Sequence, residues 1–283
     1  MAKTRKEGSP PMRYAICNET YGDWPFAKAC EHAAACGYAG IEIAPFTLAP
    51  LATDVAPGRR AELRRTIEAA GLECVGLHWL LAKTTGFHVT HPDAAVRQRT
   101  VDYLGEIARL SADLGGRVLV FGSPQQRSLM PGVTHEQATD HLYGVFSQLV
   151  PVLEKTDTVV ALEPLSPVET NVLTTAAETC RLIERIGSPH VRLHLDVKAM
   201  ASEPTPIPEI IRASARHLEH FHANDVNLQG PGFGDVDFVP IFKALEEVGY
   251  QGWVSVEVFD YSPGVERLAQ ESIDNMRAFH ARL

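Results

Sequence analysis

The sequence predicts an α/β protein folded as one (β/α)8 barrel. Short apolar runs alternate with helical patterns along the whole chain, which is typical of a parallel sheet covered by helices. Eight strand–helix pairs can be assigned, and 283 residues are close to the roughly 250 of a barrel with a single core. In addition, four apolar runs lead into a polar residue at intervals of about one strand–helix–strand unit, roughly 30 residues.

The predicted strands are mostly continuous apolar runs, as expected for strands buried on both faces. They are assigned to residues 13–17, 40–43, 74–77, 118–121, 159–162, 192–195, 218–221 and 253–256. Apolar residues keep helical spacing over residues 92–114, and Gly115 provides a C-terminal stop. Asp237 is placed to cap a helix that ends before Gly249. Further helices are predicted to follow Thr134, Thr174 and Pro206.

Composition limits the class of protein. With 45% hydrophobic and 22% charged residues the chain resembles a soluble globular protein, and no run reaches the roughly 18 apolar residues of a membrane helix. Residues 1–11 are followed by no apolar stretch, so we expect a disordered tail, a barrel domain over residues 12–283 and a cytoplasmic location. The net charge of −9 argues against nucleic acid as a partner. Five cysteines without a CxxC pair predict reduced thiols.

The candidate active site consists of four residues at the carboxyl ends of successive predicted strands: Glu163, Asp196, His222 and Glu257. In a parallel barrel these ends meet at one mouth, so the side chains are predicted to converge there. One acid at a strand end is usually a solvated residue, but here four candidates close strands five to eight in succession. Three carboxylates and one imidazole suit a divalent cation such as Mn²⁺, Mg²⁺ or Co²⁺. His194 and His220 are expected to face the helices or to support the ligands.

The segments around these four residues are Leu-Glu-Pro-Leu at 162–165, His-Leu-Asp at 194–196, His-Phe-His-Ala-Asn-Asp at 220–225 and Val-Glu-Val at 256–258. They resemble the sugar phosphate isomerase/epimerase family, which has the xylose isomerase-like TIM barrel fold and includes ketose 3-epimerases such as D-tagatose 3-epimerase and D-psicose 3-epimerase. The resemblance covers most of the chain and is strongest over its second half.

The resemblance implies a ligand set and an acid/base pair. Glu163, Asp196, His222 and Glu257 are expected to hold one divalent ion, with Mn²⁺ as the first expectation, and Glu163 and Glu257 are also expected to be the catalytic acid and base. Members of this family often form dimers or tetramers, so a homodimer or homotetramer is expected.

The expected activity is that of a divalent-metal-dependent sugar or sugar-phosphate isomerase or epimerase acting on a small carbohydrate. A cation bound to carbonyl and hydroxyl oxygens stabilises the enediolate that forms when the neighbouring carbon loses its proton. Two carboxylates on opposite sides of the substrate can remove the proton from one face and return one to the other, which inverts the carbon. If the proton is removed and returned on the same face, but to the adjacent carbon, the result is aldose–ketose isomerisation instead.

The candidates for substrate binding are His78, Arg127, Glu169, Lys198, Asn224 and Asp225. Glu169 matches a second glutamate of the family motif, and Trp79 offers an apolar surface beside His78. Ala199 stands where the 3-epimerases have a substrate-binding histidine, and residues 226–228 lack the arginine expected there, so the sugar contacts are predicted to differ.

Two further features concern the predicted mouth. Glu19 and Glu42, in the region of the first and second strands, are additional acids that are candidates for the mouth. The glycine-rich connection at 224–235 is either a wall or lid over the site or a surface loop with tight turns.

Other activities remain open from the sequence. A lyase or dehydratase acting on a keto-sugar, a keto-inositol or a 3-keto glycoside uses the same proton abstraction and then expels a β-substituent. An endonuclease IV-like hydrolase shares the barrel but needs more histidine ligands than the one matched here, and the acidic charge disfavours DNA. The last alternative is a non-catalytic sugar-binding barrel that keeps a metal for stability.

Overall fold

The computed structural model describes residues 12–283, which form a closed barrel of eight parallel strands in sequence order. The strands are β1 (Arg13–Cys17), β2 (Gly40–Ile43), β3 (Glu73–Leu77), β4 (Val118–Phe121), β5 (Val159–Leu162), β6 (Val191–Asp196), β7 (Leu218–Ala223) and β8 (Trp253–Val256). The last strand closes the barrel by pairing with the first. The predicted (β/α)8 barrel is therefore confirmed, whereas the predicted tail at residues 1–11 lies outside the described residues.

Helices connect the strands. They are α1 (Phe26–Cys36), α2 (Pro57–Ala69), α3 (Ala94–Leu114), α4 (His135–Thr156), α5 (Ala176–Ile186), α6 (Val197–Met200), α7 (Ile207–Ser214), α8 (Phe238–Glu247) and α9 (Val265–His280). Within residues 12–283, none of these helices has both the length and the apolar character that a membrane crossing requires.

Side-chain caps fix where several helices begin. Thr134 accepts a hydrogen bond from the Gln137 amide at 3.2 Å, and the Gln137 side chain accepts one from the Thr134 amide at 2.9 Å, which is a capping box. Asp237 caps α8, as predicted. The helix predicted to follow Thr174 begins one residue later, because Thr175 provides the cap.

Strands β6 and β7 extend further toward the mouth than the predicted ends at 195 and 221. As a result, Asp196 pairs with His222 across the two strands, and His222 pairs with Ser255 on β8. Asp196 and His222 therefore lie within the hydrogen-bonded sheet rather than in flexible loops, which fixes their backbone positions.

The core consists of two apolar clusters. The larger cluster packs strands against helices; for example, Phe121 on β4 contacts Phe146 on α4 with ring centroids 5.1 Å apart. The smaller cluster lies toward the amino ends of the strands and consists of Ala15, Val75, Val118, Val120, Ala161 and Trp253. Polar side chains, which include Glu42, His194 and His220, are fully buried nearer the mouth. The interior of the barrel is thus filled by apolar side chains at the amino ends of the strands and by polar side chains at the mouth.

Candidate metal centre

Three of the four predicted ligands lie in one buried cluster. Asp196 and His222 belong to β6 and β7, and Glu257 directly follows β8. One ligand atom from each lies within 4.8 Å of the other two. Side chains from three neighbouring strand ends therefore converge as the sequence predicted.

Glu163, the fourth predicted ligand, lies outside that 4.8 Å cluster but lines the same cavity as Glu257. Its carboxylate lies against the backbone of Gly122, where a Cβ atom would be only 1.7 Å from Oε2 of Glu163. Burial, followed by the negative charges of Glu257 and Asp196, raises the pKa of Glu163 well above its usual range. Gly122 thus provides the space in which this carboxylate is held.

Three side chains contact the Glu257 carboxylate. Trp79 donates from Nε1 to Oε1 of Glu257 at 2.6 Å, and His78 Nδ1 lies 3.2 Å from the same oxygen. His222 Nδ1 lies 3.1 Å from Oε2. Burial alone would raise the pKa of Glu257, but His222 and His78 hold it well below its usual range. Trp79 adopts a left-handed backbone conformation (φ 52°), which is uncommon for a bulky residue and is typical of constrained functional sites.

A buried carboxylate on β2 contacts the other edge of His222. The two oxygens of Glu42 lie 3.1 and 3.2 Å from His222 Nε2, and Oε2 is 2.8 Å from His220 Nε2. Burial alone would raise the pKa of Glu42, but the two histidines hold it well below its usual range. Burial alone would lower the pKa of His222, but the carboxylates of Glu257 and Glu42 raise it well above its usual range, so without a cation Nδ1–H donates to Glu257. With a cation bound, Nε2–H would still donate to Glu42 and Nδ1 would offer its lone pair to the metal.

Of the two alternatives predicted for His194 and His220, facing the helices is wrong, and a supporting position beside His222 agrees with the structure. Both are fully buried, and their ring centroids lie 4.2 Å and 5.1 Å from that of His222. The physical reason is that residues two apart on a strand point to the same face, so these histidines share the inward face of Asp196 and His222. Burial, followed by the charges of His222 and His220, lowers the pKa of His194 well below its usual range.

Two predicted substrate residues are placed behind the cavity. His78 is fully buried, with Nε2 2.9 Å from Oε2 of Glu19, so it connects Glu19 to Glu257. Arg127 is also fully buried and donates from Nη1 to the backbone oxygen of Glu163 at 2.5 Å. Burial lowers the pKa of Arg127 to about 10, which still leaves it positively charged at neutral pH. Both residues position a predicted ligand, and neither lines the cavity.

Asn224 and Asp225 also lie off the cavity. The Asn224 amide donates to Oδ2 of Asp196 and accepts a hydrogen bond from the Lys198 amide at 2.9 Å. The Asp225 carboxylate accepts from the Gly234 amide at 3.1 Å, inside the glycine-rich connection. That connection packs on α9, and its residues do not line the cavity. Part of the connection lines a neighbouring groove instead, so the structure favours a wall beside the site and not a lid over the cavity.

The cavity at the mouth has a volume of about 400 Å³. Glu163 and Glu257 lie on it, and so do Glu169 and Lys198, whose carboxylate and ammonium groups are 2.7 Å apart. Phe259 stacks on Trp79 with ring centroids 5.8 Å apart and forms an apolar side. Such a cavity offers a metal-ligand face, an ion pair and an aromatic surface to one small polar molecule.

The residues present fit a divalent cation. Burial, and then repulsion by Glu257 and Asp196, raise the pKa of Glu163, and a bound positive charge would offset both effects. Oxygen donors with one imidazole match the preference of hard and borderline divalent ions. Sequence analysis did not identify the supporting roles of Glu42, Gly122 and Asn224, because each depends on a contact between segments that are distant along the chain.

The fold and site together define a (β/α)8 barrel enzyme with a carboxylate-rich candidate metal centre at the carboxyl ends of its strands. A family model described as xylose isomerase-like TIM barrel matches residues 30–279. The chain belongs to this family, which confirms the predicted resemblance.

Curated relatives include several sugar epimerases. L-ribulose 3-epimerase of Mesorhizobium japonicum is 29% identical over 202 residues, which are 69% of this chain and 68% of that protein. L-ribulose 3-epimerase of Methylomonas sp. is 26% identical over 241 residues, covering 84% of this chain and 81% of that protein. 3-Dehydro-D-guloside 4-epimerase of Escherichia coli is 28% identical over 171 residues, covering 57% and 65%. The protein is an enzyme of the isomerase/epimerase class.

Solved structures agree on the fold. A D-psicose 3-epimerase determined in the presence of D-fructose has a TM-score of 0.84 at 20% identity, covering 95% of this chain and 99% of that one. The 3-keto-D-glucoside 4-epimerase of E. coli has a TM-score of 0.82 at 20% identity, covering 95% and 100%. These similarities extend over nearly the whole barrel.

Proposed function

We propose that this protein is a divalent-metal-dependent epimerase of a keto-sugar, with residues 12–283 as one catalytic domain. The observation that supports this most directly is that two carboxylates, Glu163 and Glu257, face one cavity from the ends of β5 and β8 beside the Asp196–His222 pair. Curated relatives named as L-ribulose 3-epimerases and a 3-dehydro-D-guloside 4-epimerase support a carbohydrate substrate.

The proposed ligands of the cation are Glu163, Asp196, His222 and Glu257. When bound, a divalent cation supplies the positive charge that stabilises an enediolate, and Mn²⁺ is proposed ahead of Mg²⁺ and Co²⁺. Asn224 and the Ala199 amide hold the two oxygens of Asp196, while Glu42 holds the tautomer of His222. This chain's own contacts thus fix the ligand atoms before a metal arrives.

Glu163 and Glu257 are proposed to exchange the proton of the carbon next to the carbonyl. Glu257 is fixed by Trp79 and His78, so its carboxylate has one orientation toward the cavity. Glu163 is held against Gly122 on another side of the same cavity. One carboxylate removes the proton and the other returns a proton to the opposite face, which inverts the carbon.

The remaining cavity groups are proposed to bind the sugar. The Glu169–Lys198 ion pair offers an acceptor and a donor for hydroxyl groups, and Trp79 and Phe259 offer an apolar face for C–H groups.

The test is incorporation of solvent deuterium into L-ribulose, D-psicose and 3-keto-D-glucosides. We expect exchange that stops on chelation, returns with Mn²⁺, and falls at least about 1,000-fold in Glu163→Gln and Glu257→Gln, since each removes an acid/base group. Glu62→Gln, an exposed acid on α2, is the matched control. Exchange that persists after complete metal removal, or in both variants, contradicts the proposal.

Product analysis of the same reactions separates epimerisation from elimination. An epimer that keeps all its substituents supports the proposed activity. Release of water from the sugar, or of the alcohol from a 3-keto-D-glucoside, identifies the lyase alternative, which uses the same proton abstraction.

A further inference from the structure

An open apolar groove lies next to the catalytic cavity. It has a volume of about 570 Å³ and shares Glu169, Lys198 and Phe259 with the cavity of about 400 Å³. Small-molecule sites in proteins typically measure roughly 300–1,000 Å³. The groove therefore more than doubles the space open to a ligand that is bound at the metal centre.

The far side of the groove is apolar and exposed. Val168, Val226 and Leu228 line it, with exposed fractions of 95%, 50% and 43%. Tyr261, in the neighbouring loop after β8, is 40% exposed. These four residues and Leu283 are the large hydrophobic side chains exposed among residues 12–283, so exposed apolar surface is concentrated at this edge of the mouth.

Leu228 is held toward the groove by a constrained backbone. Its φ of 71° is a left-handed conformation, which is rare for leucine. The backbone oxygen of Leu228 accepts hydrogen bonds from the Phe259 amide at 2.8 Å and the Asp260 amide at 2.9 Å. These bonds join the loop after β7 to the loop after β8 and keep the exposed side chain in place.

A polar boundary separates the cavity from the groove. Lys198 Nζ lies 2.7 Å from Oε1 of Glu169 and 4.4 Å from the ring centroid of Phe259. Ser166 donates to the other oxygen of Glu169 at 2.6 Å. These groups suit an oxygen-bearing link between a sugar ring in the cavity and an apolar group in the groove.

We propose that the groove binds the hydrophobic aglycone of a keto-glycoside, so that the substrate is a glycoside rather than a free ketose. This inference rests on the proposed function, because the glycone must reach Glu163 and Glu257. The glycone lies in the cavity, the glycosidic oxygen lies beside Glu169 and Lys198, and an aromatic or aliphatic aglycone covers Val168, Val226 and Leu228.

The test compares methyl and phenyl 3-keto-β-D-glucopyranosides by deuterium exchange. We expect kcat/KM to be roughly tenfold higher for the phenyl compound, because burial of an aromatic ring against apolar side chains is favourable. The variants Val168→Ser, Val226→Ser and Leu228→Gly are each expected to reduce that ratio and, combined, to bring it close to one.

Matched variants distinguish a change in the phenyl-to-methyl ratio from a folding defect. Leu283→Ser removes an exposed hydrophobic side chain far along the sequence from the groove loops and is expected to leave the ratio unchanged. Leu228→Gly relieves the left-handed backbone conformation, so a loss of selectivity in a variant of equal or higher melting temperature is not a folding defect. A wild-type ratio near one, or an equal loss in Leu283→Ser, overturns the proposal.

Two further measurements separate the other outcomes. If no sugar exchanges deuterium, the proposed function fails. The groove is then tested by saturation-transfer NMR, which compares the binding of phenyl and methyl β-D-glucopyranoside. Tighter binding of the phenyl compound that is lost in the groove variants would still support the groove. If the variants convert a dimer to a monomer in sedimentation while the phenyl-to-methyl ratio is unchanged, the groove is a contact between two copies of the chain and the aglycone assignment is wrong.

Discussion

At the scale of single residues, Glu42 lies outside the proposed ligand set but contacts the ligand His222 with both of its carboxylate oxygens. It is fully buried, bridges His220 and His222, and faces the nitrogen of His222 opposite to Glu257. Carboxylates in this position fix the tautomer of a ligating histidine and raise its basicity.

We expect Glu42→Gln to weaken binding of Mn²⁺ by about 10- to 100-fold, the range typical of such supporting contacts. The amide is of similar size but no longer carries the charge that favours Nε2–H on His222. Titration followed by the electron paramagnetic resonance of free Mn²⁺ measures the dissociation constant directly. Glu73→Gln, at the exposed start of β3, is the control. An unchanged constant in Glu42→Gln would falsify this role.

Gly122 is a second residue outside the ligand set, and it matters because it has no side chain that would displace Glu163. A methyl group there would lie 1.7 Å from Oε2 of Glu163, so Gly122→Ala must displace the carboxylate. We expect the exchange rate to fall about 100-fold, the order expected when a reacting group moves by about 1 Å. Gly58→Ala, where no atom lies within 4 Å of the new Cβ, is expected to have wild-type activity. Wild-type exchange in Gly122→Ala would show that Glu163 can act from another position.

The residue scale also shows what the sequence can predict. The convergence of Asp196, His222 and Glu257 follows from one rule, that parallel strands end at one mouth, and it needs no knowledge of loops. The positions of Arg127 and Asp225 depend on how two loops fold back, and both side chains contact backbone groups instead of the cavity. Period-two alternation places His194 and His220 on the same strand faces as Asp196 and His222, which point into the barrel.

At the scale of elements, strand prediction succeeded because each strand is a buried apolar run of defined length. Five strands have the predicted bounds, whereas β6 and β7 extend further because Asp196 and His222 pair within the sheet although they are polar. Helix starts followed the capping residues, and the one-residue shift at Thr175 reflects two adjacent threonines that both can cap. The path of residues 224–235 depends on contacts with α9, which no local pattern specifies.

The ion pair between Glu169 and Lys198 joins the loop after β5 to α6 and predicts an acid-dependent stability. Burial would raise the pKa of Glu169, but hydrogen bonds from Lys198 and Ser166 lower it below its usual value. A lowered carboxylate pKa stabilises the folded protein above the unfolded pKa of about 4.3, and this contribution disappears as the pH falls through the lower folded value. Because the pair is partly exposed, we expect about 1 kcal/mol or less.

Glu169→Gln is therefore expected to be slightly less stable than the wild type at pH 6–7 and equally stable near pH 3, measured by urea unfolding at each pH. Glu271→Gln, which removes an exposed helical ion pair with Arg267, is the control. A stability difference between Glu169→Gln and the wild type that grows on acidification would contradict the assigned sign of the pKa shift.

At the scale of the whole molecule, the two ends of the barrel make opposite contributions to stability. Apolar packing of Trp253, Val118 and their neighbours stabilises the amino ends of the strands. At the mouth, several carboxylates are buried beside one another, and burial of like charges opposes folding. A bound divalent cation is expected to offset this repulsion, so that the mouth then stabilises the folded protein. Folding and metal binding are therefore coupled.

This coupling predicts a melting temperature that depends on metal concentration. Above the dissociation constant, each tenfold increase in free Mn²⁺ is expected to add about 1.4 kcal/mol to the free energy of unfolding, a shift of a few degrees, and chelation is expected to reverse it. Glu163→Gln removes a buried carboxyl group whose ionisation is opposed by burial and by the charges of Glu257 and Asp196. Without metal this variant is therefore expected to be at least as stable as the wild type, while its response to Mn²⁺ is weaker.

Glu62→Gln, on the outside of α2, separates a site effect from general binding of cations to an acidic surface. The net charge of −9 makes some nonspecific attraction of cations unavoidable, but such attraction is screened by salt and does not depend on one buried residue. We therefore expect the metal response of Glu62→Gln to equal that of the wild type in 0.15 M salt. If Glu163→Gln and Glu62→Gln respond alike, Glu163 is not a ligand of the cation, and the proposed set of four strand-end ligands is wrong.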